Sequence, residues 1–210
     1  MFFVIALAIL YIPLLILYPT KVIHKERFDK KKKYVIASNH FSNADSLVYI
    51  SRFLKKFRFL GKKELFKTKF TAWIMRHLGV IAVDRKSVAP STFKEILTAL
   101  NKNEQIFIYP EGTRNKAGEG DMQEAKDGMI VFASKGSAEI LPMLIYKKPK
   151  VFRKNYIIVG EPIEIKGENP KRLTKEEIEE NLQVYTDKMA ALRIELDEIV
   201  NKKKRKNKKA

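Results

Sequence analysis

Short apolar runs alternate with helix-like runs along most of the chain, and this alternation constrains the fold more than any other feature. Strand patterns cover residues 34–38, 57–60, 80–83, 105–109, 140–145, 156–159 and 163–165. Helix patterns cover residues 46–53, 63–78, 91–100, 123–134 and 174–201. Several strands are apolar on both faces, so helices must cover both sides of the sheet. The chain is therefore predicted to be an α/β protein with a mixed sheet flanked by helices.

An uncharged, largely aliphatic segment, residues 2–18, precedes the first of these strands. As a helix it would be about 25 Å long, which is the short limit for a hydrocarbon core of roughly 30 Å. We predict an N-terminal membrane-anchoring helix over residues 1–20 that either spans the bilayer or inserts into one leaflet. Basic residues follow it at 21–33, which places the rest of the chain on the cytoplasmic side. The alternative is a helix buried in a soluble core.

The remainder is predicted to be one domain, residues 21–201, followed by a basic tail. A capping-box pattern at Thr174 and Glu177 begins the last helix, which carries one apolar stripe to residue 201. That stripe is expected to pack on the body of the domain. Residues 202–210 are almost entirely lysine and arginine, so they are predicted to be disordered.

The charge balance limits the partners of the chain. It has 42 lysines and arginines against 24 aspartates and glutamates, a formal net charge of +18. Such a chain seeks a polyanion, either nucleic acid or an anionic membrane surface. The excess is concentrated at residues 21–33, 52–69 and 202–209. Cysteine is absent and the three histidines are scattered, so neither a disulfide nor a metal site is predicted.

His40 and Asp45 lie where the first predicted strand gives way to a helix. On one continuous helix their side chains would be about 140° apart. They can meet only if His40 is in the loop and Asp45 is on the first helical turn. A carboxylate that bonds one imidazole nitrogen fixes the tautomer and leaves the other nitrogen as a base. The pair therefore predicts deprotonation of an alcohol; the alternative is a helix-capping aspartate beside an unrelated histidine.

A second candidate site follows the strand at residues 105–109. It consists of Pro110, Glu111, Gly112, Thr113 and Arg114. Loops at the carboxyl ends of strands bind ligands in α/β folds. Gly112 permits close approach of the backbone, Thr113 offers a hydroxyl, and Arg114 offers a two-pronged donor to phosphate. We expect Glu111 to orient Arg114; the alternative is a surface turn with an ion pair.

Lys62 and Arg85 are two further cations that could join a phosphate site, the alternative being solvated surface charge. The chain has neither a G-x-S-x-G nucleophile motif nor a P-loop. With no nucleophile motif and no metal set, a lone base predicts direct transfer of a group onto a bound hydroxyl.

Four motifs in this order resemble those of the glycerolipid acyltransferase family. They are Asn39-His40 with Asp45, Lys62-x-Glu64-Leu65 with Gly79 and Asp84-Arg85, Pro110 to Arg114, and Leu141-Pro142. Together they cover roughly residues 34–145, about half of the chain.

The resemblance implies a glycerolphosphate acyltransferase-like fold and a reaction. A fatty acyl group would pass from an acyl thioester to the free hydroxyl of lysophosphatidic acid, giving phosphatidic acid. His40 would be the general base and Asp45 would orient it. The implied substrate-phosphate site consists of Lys62, Arg85, Glu111, Gly112, Thr113 and Arg114. The implied site-shaping residues are Asn39 and Pro142.

The resemblance also implies partners. Acyl-carrier protein or acyl-CoA would be the co-substrate, without a cofactor or metal, and anionic lipids would hold the chain at the cytoplasmic face of a bacterial inner membrane. The basic, aromatic pattern at residues 63–78 resembles an interfacial helix, although its aromatic residues could instead line the core. One alternative function is acylation of glycerol 3-phosphate, another lysophospholipid or an aminolipid. A basic nucleic-acid-binding protein is the other, but it accounts for neither residues 2–18 nor the motifs.

Overall fold

The structure, a computed structural model, describes residues 2–84, 88–115 and 123–207. The strands in these ranges are β1 (Thr20–Ile23), β2 (Tyr34–Ser38), β3 (Arg58–Lys62), β4 (Ile81–Val83), β5 (Ile106–Ile108), β6 (Glu139–Ile145) and β7 (Asn155–Val159). The helices are α1 (Phe2–Leu17), α2 (Ala44–Phe53), α3 (Lys69–Leu78), α4 (Pro90–Asn101), α5 (Gly128–Gly136) and α6 (Lys175–Asn207).

The described strands form one seven-stranded sheet with the order β1-β7-β6-β2-β5-β3-β4. Neighbouring strands are parallel except for β6 and β7, which are antiparallel. All five residues of β2 are buried, as a strand covered on both faces requires. The predicted mixed sheet flanked by helices is confirmed.

Each face of the sheet carries its own hydrophobic core. On one face, α4, α5 and α6 contribute Ile96, Leu100, Met129, Ile130, Leu192 and Leu196. The other face, covered by α2, is rich in aromatic side chains, which include Tyr34, Tyr49, Phe53, Phe57, Phe59 and Phe107. Phe57 and Phe107 meet nearly edge to face, with ring centroids 5.4 Å apart, a favoured arrangement for aromatic pairs.

The strand directions bring the candidate residues to one edge of the sheet. Because β2, β3, β4, β5 and β6 run parallel, the loops that follow them leave from the same side. Strand β7 begins where β6 ends, and β1 is parallel to β7, with Thr20 opposite Asn155. The carboxyl end of α1 therefore reaches this edge as well. We call it the catalytic edge.

The N-terminal helix is present, but it is short. α1 has 16 residues, includes Pro13 and packs against α2 and α3. In the parts of the chain that the structure describes, no helix is both long and apolar enough to cross a membrane. One face of α1 nevertheless presents an exposed aliphatic stripe at helical spacing. Its members are Ile5, Ile9, Ile12 and Ile16.

The helix predicted over residues 63–78 is divided. Residues Lys63–Phe66 form a 3-10 turn, and α3 begins after Thr68. The Thr68 hydroxyl accepts a hydrogen bond from the Thr71 backbone N–H at 3.1 Å, and the Thr71 hydroxyl accepts one from the Thr68 N–H at 3.3 Å. This reciprocal cap starts a new helix. Leu65, Phe70 and Trp73 are exposed, which favours the interfacial interpretation of this segment over the core one.

Other boundaries also differ from those predicted. β1 has only four residues and no alternating pattern, and was not predicted. The pattern at residues 163–165 gives only an isolated bridge between Ile140 and Ile163. α5 begins at Gly128 rather than at residue 123. The Lys126 N–H donates to the Pro110 carbonyl at 3.0 Å, so the residues just before α5 are held against the loop that follows β5.

The last helix is longer than predicted. α6 continues to Asn207, so the tail predicted to be disordered over residues 202–210 begins as a helix. Lysine and arginine are good helix formers, and neither glycine nor proline interrupts this stretch. The predicted stripe does pack on the body, since Tyr185, Met189, Leu192 and Leu196 are buried.

Gly160 provides a test of the packing between β6 and α6. A Cβ at this position would lie 2.7 Å from Pro142 Cγ and 2.8 Å from Leu192 Cδ1. We expect Gly160→Ala to lower the free energy of unfolding by about 1–3 kcal/mol, because the core cannot take the added methyl group without moving. Gly128→Ala is the control, since the nearest neighbour of its added Cβ, Phe132 Cε2, would be 3.9 Å away; it should change stability by less than about 0.5 kcal/mol. Equal effects in urea unfolding would contradict this packing.

Candidate active site

Asp45 is the centre of a hydrogen-bonded loop at the end of β2. Its side chain is fully buried on the first turn of α2. Oδ2 accepts hydrogen bonds from the backbone N–H groups of Phe41 and Ser42, at 2.7 and 2.8 Å. Oδ1 accepts one from the Ser42 hydroxyl at 3.0 Å. The carboxylate therefore shapes the loop that carries His40 as well as facing that histidine.

His40 meets Asp45 in the geometry that the sequence required. His40 Nδ1 lies 2.9 Å from Asp45 Oδ2. The same oxygen already accepts two backbone N–H groups, so it is an acceptor and Nδ1 carries the proton. This tautomer leaves Nε2 of the neutral ring as a base. The pair can therefore remove a proton from an alcohol placed at Nε2.

Two neighbours fix the position of the histidine. The Tyr109 ring stacks on the His40 ring, with centroids 3.8 Å apart and an interplanar angle of 15°. Tyr109 is held in turn by a 2.9 Å hydrogen bond between its hydroxyl and that of Ser46, and burial raises the pKa of Tyr109 well above 10. The carbonyl oxygen of His40 accepts a 2.8 Å hydrogen bond from the Asn115 N–H. Tyr109 thus positions the imidazole ring, and Asn115 holds the His40 backbone.

Asn39 ties this loop to the neighbouring strand. Its amide nitrogen donates to the Ile145 carbonyl and its amide oxygen accepts from the Ile145 N–H, both at 2.9 Å. Pro142, the other residue predicted to shape the site, is buried in β6 opposite Ala37 of β2. Both residues therefore contribute to the β2–β6 pairing from which the His40 loop leaves.

The loop after β5 is a tight turn. Gly112 has φ +68°, a left-handed conformation that favours glycine, and its N–H bonds the Tyr109 carbonyl at 3.0 Å. The Thr113 hydroxyl donates to Gln123 Oε1 at 2.8 Å. Lys126 packs across the turn, since a Cβ on Gly112 would lie 3.4 Å from its Nζ. The turn thus carries a cation that the predicted phosphate site did not include.

Glu111 lies beneath this turn and supports the histidine loop. Its side chain is only 7% exposed. The backbone N–H groups of His40 and Gln123 act on its carboxylate to lower its pKa, while Oε2 has no partner among the described residues. Burial is the main cause that raises the pKa of Glu111 to about 7. The carboxyl group is therefore buried near the His40 backbone, whereas the exposed Arg114 donates to Asn43 instead of pairing with Glu111 as expected from the sequence.

We expect Glu111 to make stability fall as the pH rises from about 4.5 to 7. In this window the folded protein holds a proton on Glu111 that the unfolded chain has already released, because the pKa is higher in the folded state. Glu111→Gln should reduce the loss of unfolding free energy between pH 5 and 7.5 by about 1–3 kcal/mol, as measured by urea unfolding. Glu124→Gln, at an exposed neighbour, is the control. An unchanged pH slope in Glu111→Gln would contradict this assignment.

Two of the three predicted phosphate-binding cations, Arg114 and Lys62, lie at the catalytic edge. Arg114 is exposed, and its Nη1 donates to Asn43 Oδ1 at 3.4 Å. Because Asn43 lies between His40 and Asp45, this contact places Arg114 over the histidine loop. Lys62 is exposed at the end of β3, on the same edge. Arg85 lies outside the described residues.

Several residues of this site were missed by the sequence analysis. They are Ser42, Asn43, Tyr109 and Asn115. Tyr109 directly precedes the Pro110 loop, so its place at a strand end was the one available signal. Its stacking on His40 depends on the pairing of β2 with β5, which are far apart in sequence.

Two openings flank the turn at Pro110. One is an apolar cavity of about 110 Å³. Its apolar lining includes Leu60, Val83, Val88, Ile108, Met129 and Phe132. The other is a more polar cleft of about 660 Å³ between the turn and α6, with Asn39, Glu111, Gln183 and Arg193 in its wall. The apolar cavity reaches Tyr109, whose ring stacks on His40, and the cleft reaches Asn39, the residue before His40.

The fold and the site together define a class: an α/β protein with a buried His–Asp base at the carboxyl edge of its sheet and cations beside it. The family model described as Acyltransferase matches residues 19–146. The chain therefore belongs to the acyltransferase family, and the resemblance inferred from the motifs is confirmed.

Curated relatives and a solved structure agree with this membership. The chain is 34% identical over 134 residues to a 1-acyl-sn-glycerol-3-phosphate acyltransferase of Borreliella burgdorferi, covering 63% of this chain and 53% of the relative. It is 29% identical to a Bacillus subtilis protein of the same name, covering 68% and 73%. The crystal structure of the LPA acyltransferase PlsC from Thermotoga maritima matches with a TM-score of 0.63 at 23% identity, covering 86% of this chain and 71% of that one, and supports the fold.

The match does not extend over the whole of every relative. Besides the Borreliella protein, a Saccharomyces cerevisiae 1-acyl-sn-glycerol-3-phosphate acyltransferase is 30% identical over 179 residues, which cover 80% of this chain and 58% of the yeast protein. The chain thus spans little more than half the length of these two relatives.

Proposed function

We propose that this protein transfers a fatty acyl group from an acyl thioester to the free hydroxyl of 1-acylglycerol 3-phosphate, giving phosphatidic acid. The observation that carries the proposal is the 2.9 Å contact between His40 Nδ1 and Asp45 Oδ2, which leaves a base at the catalytic edge. The names of the Borreliella and Bacillus relatives support the choice of acceptor.

The chemistry follows from the tautomer of His40. Nε2 takes the proton of the acceptor hydroxyl while the hydroxyl oxygen attacks the thioester carbonyl carbon. The new carbon–oxygen bond forms and the carbon–sulfur bond breaks. The proton then passes from Nε2 to the departing thiolate, which restores the neutral ring. Such general-base catalysis contributes about 10²–10⁴-fold to the rate.

Cations beside the histidine loop would hold the phosphate of the acceptor. Arg114 has the geometry for a two-pronged contact with phosphate oxygens, and its bond to Asn43 keeps it over the loop. Lys62 and Lys126 would add positive charge, as would Arg85. The apolar cavity beside Pro110 suits the first part of an acyl chain.

Attachment to one leaflet is part of this proposal. The exposed stripe of α1 and the exposed Phe70 and Trp73 of α3, which packs against α1, offer apolar surface to an interface. Exposed lysines surround the start of α3 and would attract anionic lipids. They are Lys62, Lys63, Lys67 and Lys69. The chain would then act at the cytoplasmic face of the membrane, with acyl-carrier protein or acyl-CoA as donor.

A donor-by-acceptor activity matrix tests the proposal. Purified protein in anionic vesicles would receive acyl-carrier-protein or CoA thioesters as donors, and lysophosphatidate, glycerol 3-phosphate or another lysophospholipid as acceptors. The expected product is phosphatidate, and His40→Ala should form it at least about 100-fold more slowly. If only the other acceptors are acylated, the protein is still an acyltransferase, but lysophosphatidate is not its acceptor.

A further inference from the structure

The turn between β6 and β7 carries charge that the sequence analysis did not single out. Residues 147–154 contain five basic side chains and no acidic one. Four of the basic residues, Lys148, Lys150, Arg153 and Lys154, are exposed. This turn is separate in sequence from the three clusters at residues 21–33, 52–69 and 202–209.

Two apolar side chains form the tip of this turn. Val151 is 45% exposed and Phe152 is 68% exposed. Phe152 has φ +55°, a left-handed conformation that is strained for a bulky residue. Asparagine or glycine would fit the same backbone better and would leave no aromatic ring in water. Because Phe152 costs stability through both its strained backbone and its exposed ring, we expect the side chain to contact a partner and not to stabilise the fold.

The turn is rigidly preformed next to α1. The Phe152 N–H donates to the Leu17 carbonyl at 2.7 Å. Asn155 Oδ1 accepts from the Lys150 N–H at 2.9 Å, and its amide nitrogen donates to the Arg153 carbonyl at 2.8 Å. The tip is therefore held in place before any partner arrives, directly beside the end of the apolar helix.

The turn also lies on the catalytic edge. Strand β6 ends at Ile145, and both backbone groups of Ile145 bond the side chain of Asn39, the residue before His40. The tip of the turn, the end of α1 and the base thus leave the sheet on the same side. A surface that binds the tip would face His40.

We propose that Val151 and Phe152 insert into the interface of an anionic bilayer, with the surrounding basic side chains on lipid headgroups. Charge complementarity favours this occupant, since each basic residue near an anionic surface strengthens binding about fivefold. Aromatic side chains are enriched at the interface between lipid and water. The tip continues the apolar surface of α1 and would turn the catalytic edge towards the lipid. The orientation of the catalytic edge rests on the function proposed above, whereas the insertion of Val151 and Phe152 does not.

Vesicle binding tests the insertion without any need for catalysis. The probe is sedimentation with phosphatidylcholine vesicles that do or do not contain phosphatidylglycerol. Phe152→Asn should weaken binding to the anionic vesicles about tenfold, because asparagine suits the left-handed backbone and lacks the ring. Lys148→Gln with Lys150→Gln should weaken it about 10–30-fold and leave binding to neutral vesicles unchanged. Thermal melting should show each variant folded.

Val184→Asn is the matched control. Val184 is 43% exposed on α6, which packs on the opposite face of the sheet from α2, so its replacement should not change vesicle binding. Binding that is unchanged in Phe152→Asn, or equally weakened in Val184→Asn, would overturn the proposal. Unchanged vesicle binding together with a raised KM for acyl-carrier protein would instead show that the turn docks an acidic protein. If the chain binds vesicles as expected but acylates no lysophospholipid, the proposed function fails and the insertion stands.

Discussion

Replacement of His40 by alanine should lower kcat for acyl transfer by about 10²–10⁴-fold. The reason is the loss of the base at Nε2, which the bond from Nδ1 to Asp45 prepares. KM for the acceptor should change little, because the cations proposed to hold its phosphate remain. The measurement is the steady-state rate of release of the free thiol from an acyl thioester in the presence of lysophosphatidate.

The alanine variant needs a check on its structure, since the His40 ring is buried against Tyr109. His40→Gln keeps most of the volume and supplies no base of comparable strength, so it should be about as inactive while melting near the wild-type temperature. A His40→Gln protein with at least a tenth of the wild-type kcat would show that the imidazole is not the base.

Asp45→Asn should lower kcat by at least about 10²-fold. An asparagine amide can present its N–H₂ group to Nδ1, which then accepts a hydrogen bond and forces the proton onto Nε2. The ring then has no free lone pair at the position of the acceptor hydroxyl. Asparagine also has weaker acceptors for the N–H groups of Phe41 and Ser42, so the free energy of unfolding should fall by about 1–3 kcal/mol.

Ser42→Ala is the matched control for Asp45. It removes the hydroxyl that bonds Asp45 Oδ1 but leaves Oδ2 and His40 paired. It should therefore reduce kcat by less than about fivefold, since the tautomer is retained and one neutral donor is lost. Equal losses in Ser42→Ala and Asp45→Asn would indicate that loop geometry, rather than the tautomer, limits the rate.

The sequence predicted the β2–α2 junction well because its determinants are local. His40 and Asp45 are five residues apart, and the turn between them brings the two side chains together. The strand at Tyr34–Ser38 was predicted with its correct bounds because its continuous apolar pattern ends in polar residues. The order of the four motifs then identified the family.

Features that depend on distant contacts were not predictable from one sequence. The Tyr109 ring reaches His40 through the pairing of β2 with β5, and Arg114 donates to Asn43 rather than pairing with Glu111. The four-residue β1 pairs with β7, which is far away in sequence, and its residues show no clear strand pattern. The exposed tip at Phe152 was not predicted, because its exposure and its left-handed backbone become visible only in the folded turn.

The most direct test asks whether lysophosphatidate is the acceptor. Purified protein would receive one labelled acyl thioester and equal concentrations of lysophosphatidate or glycerol 3-phosphate, and the product would be identified by mass spectrometry. We expect phosphatidate as the product, with kcat/KM at least about tenfold higher for lysophosphatidate than for glycerol 3-phosphate, because the acyl chain of lysophosphatidate adds apolar contact that glycerol 3-phosphate lacks. Acylation of glycerol 3-phosphate without acylation of lysophosphatidate would contradict this expectation.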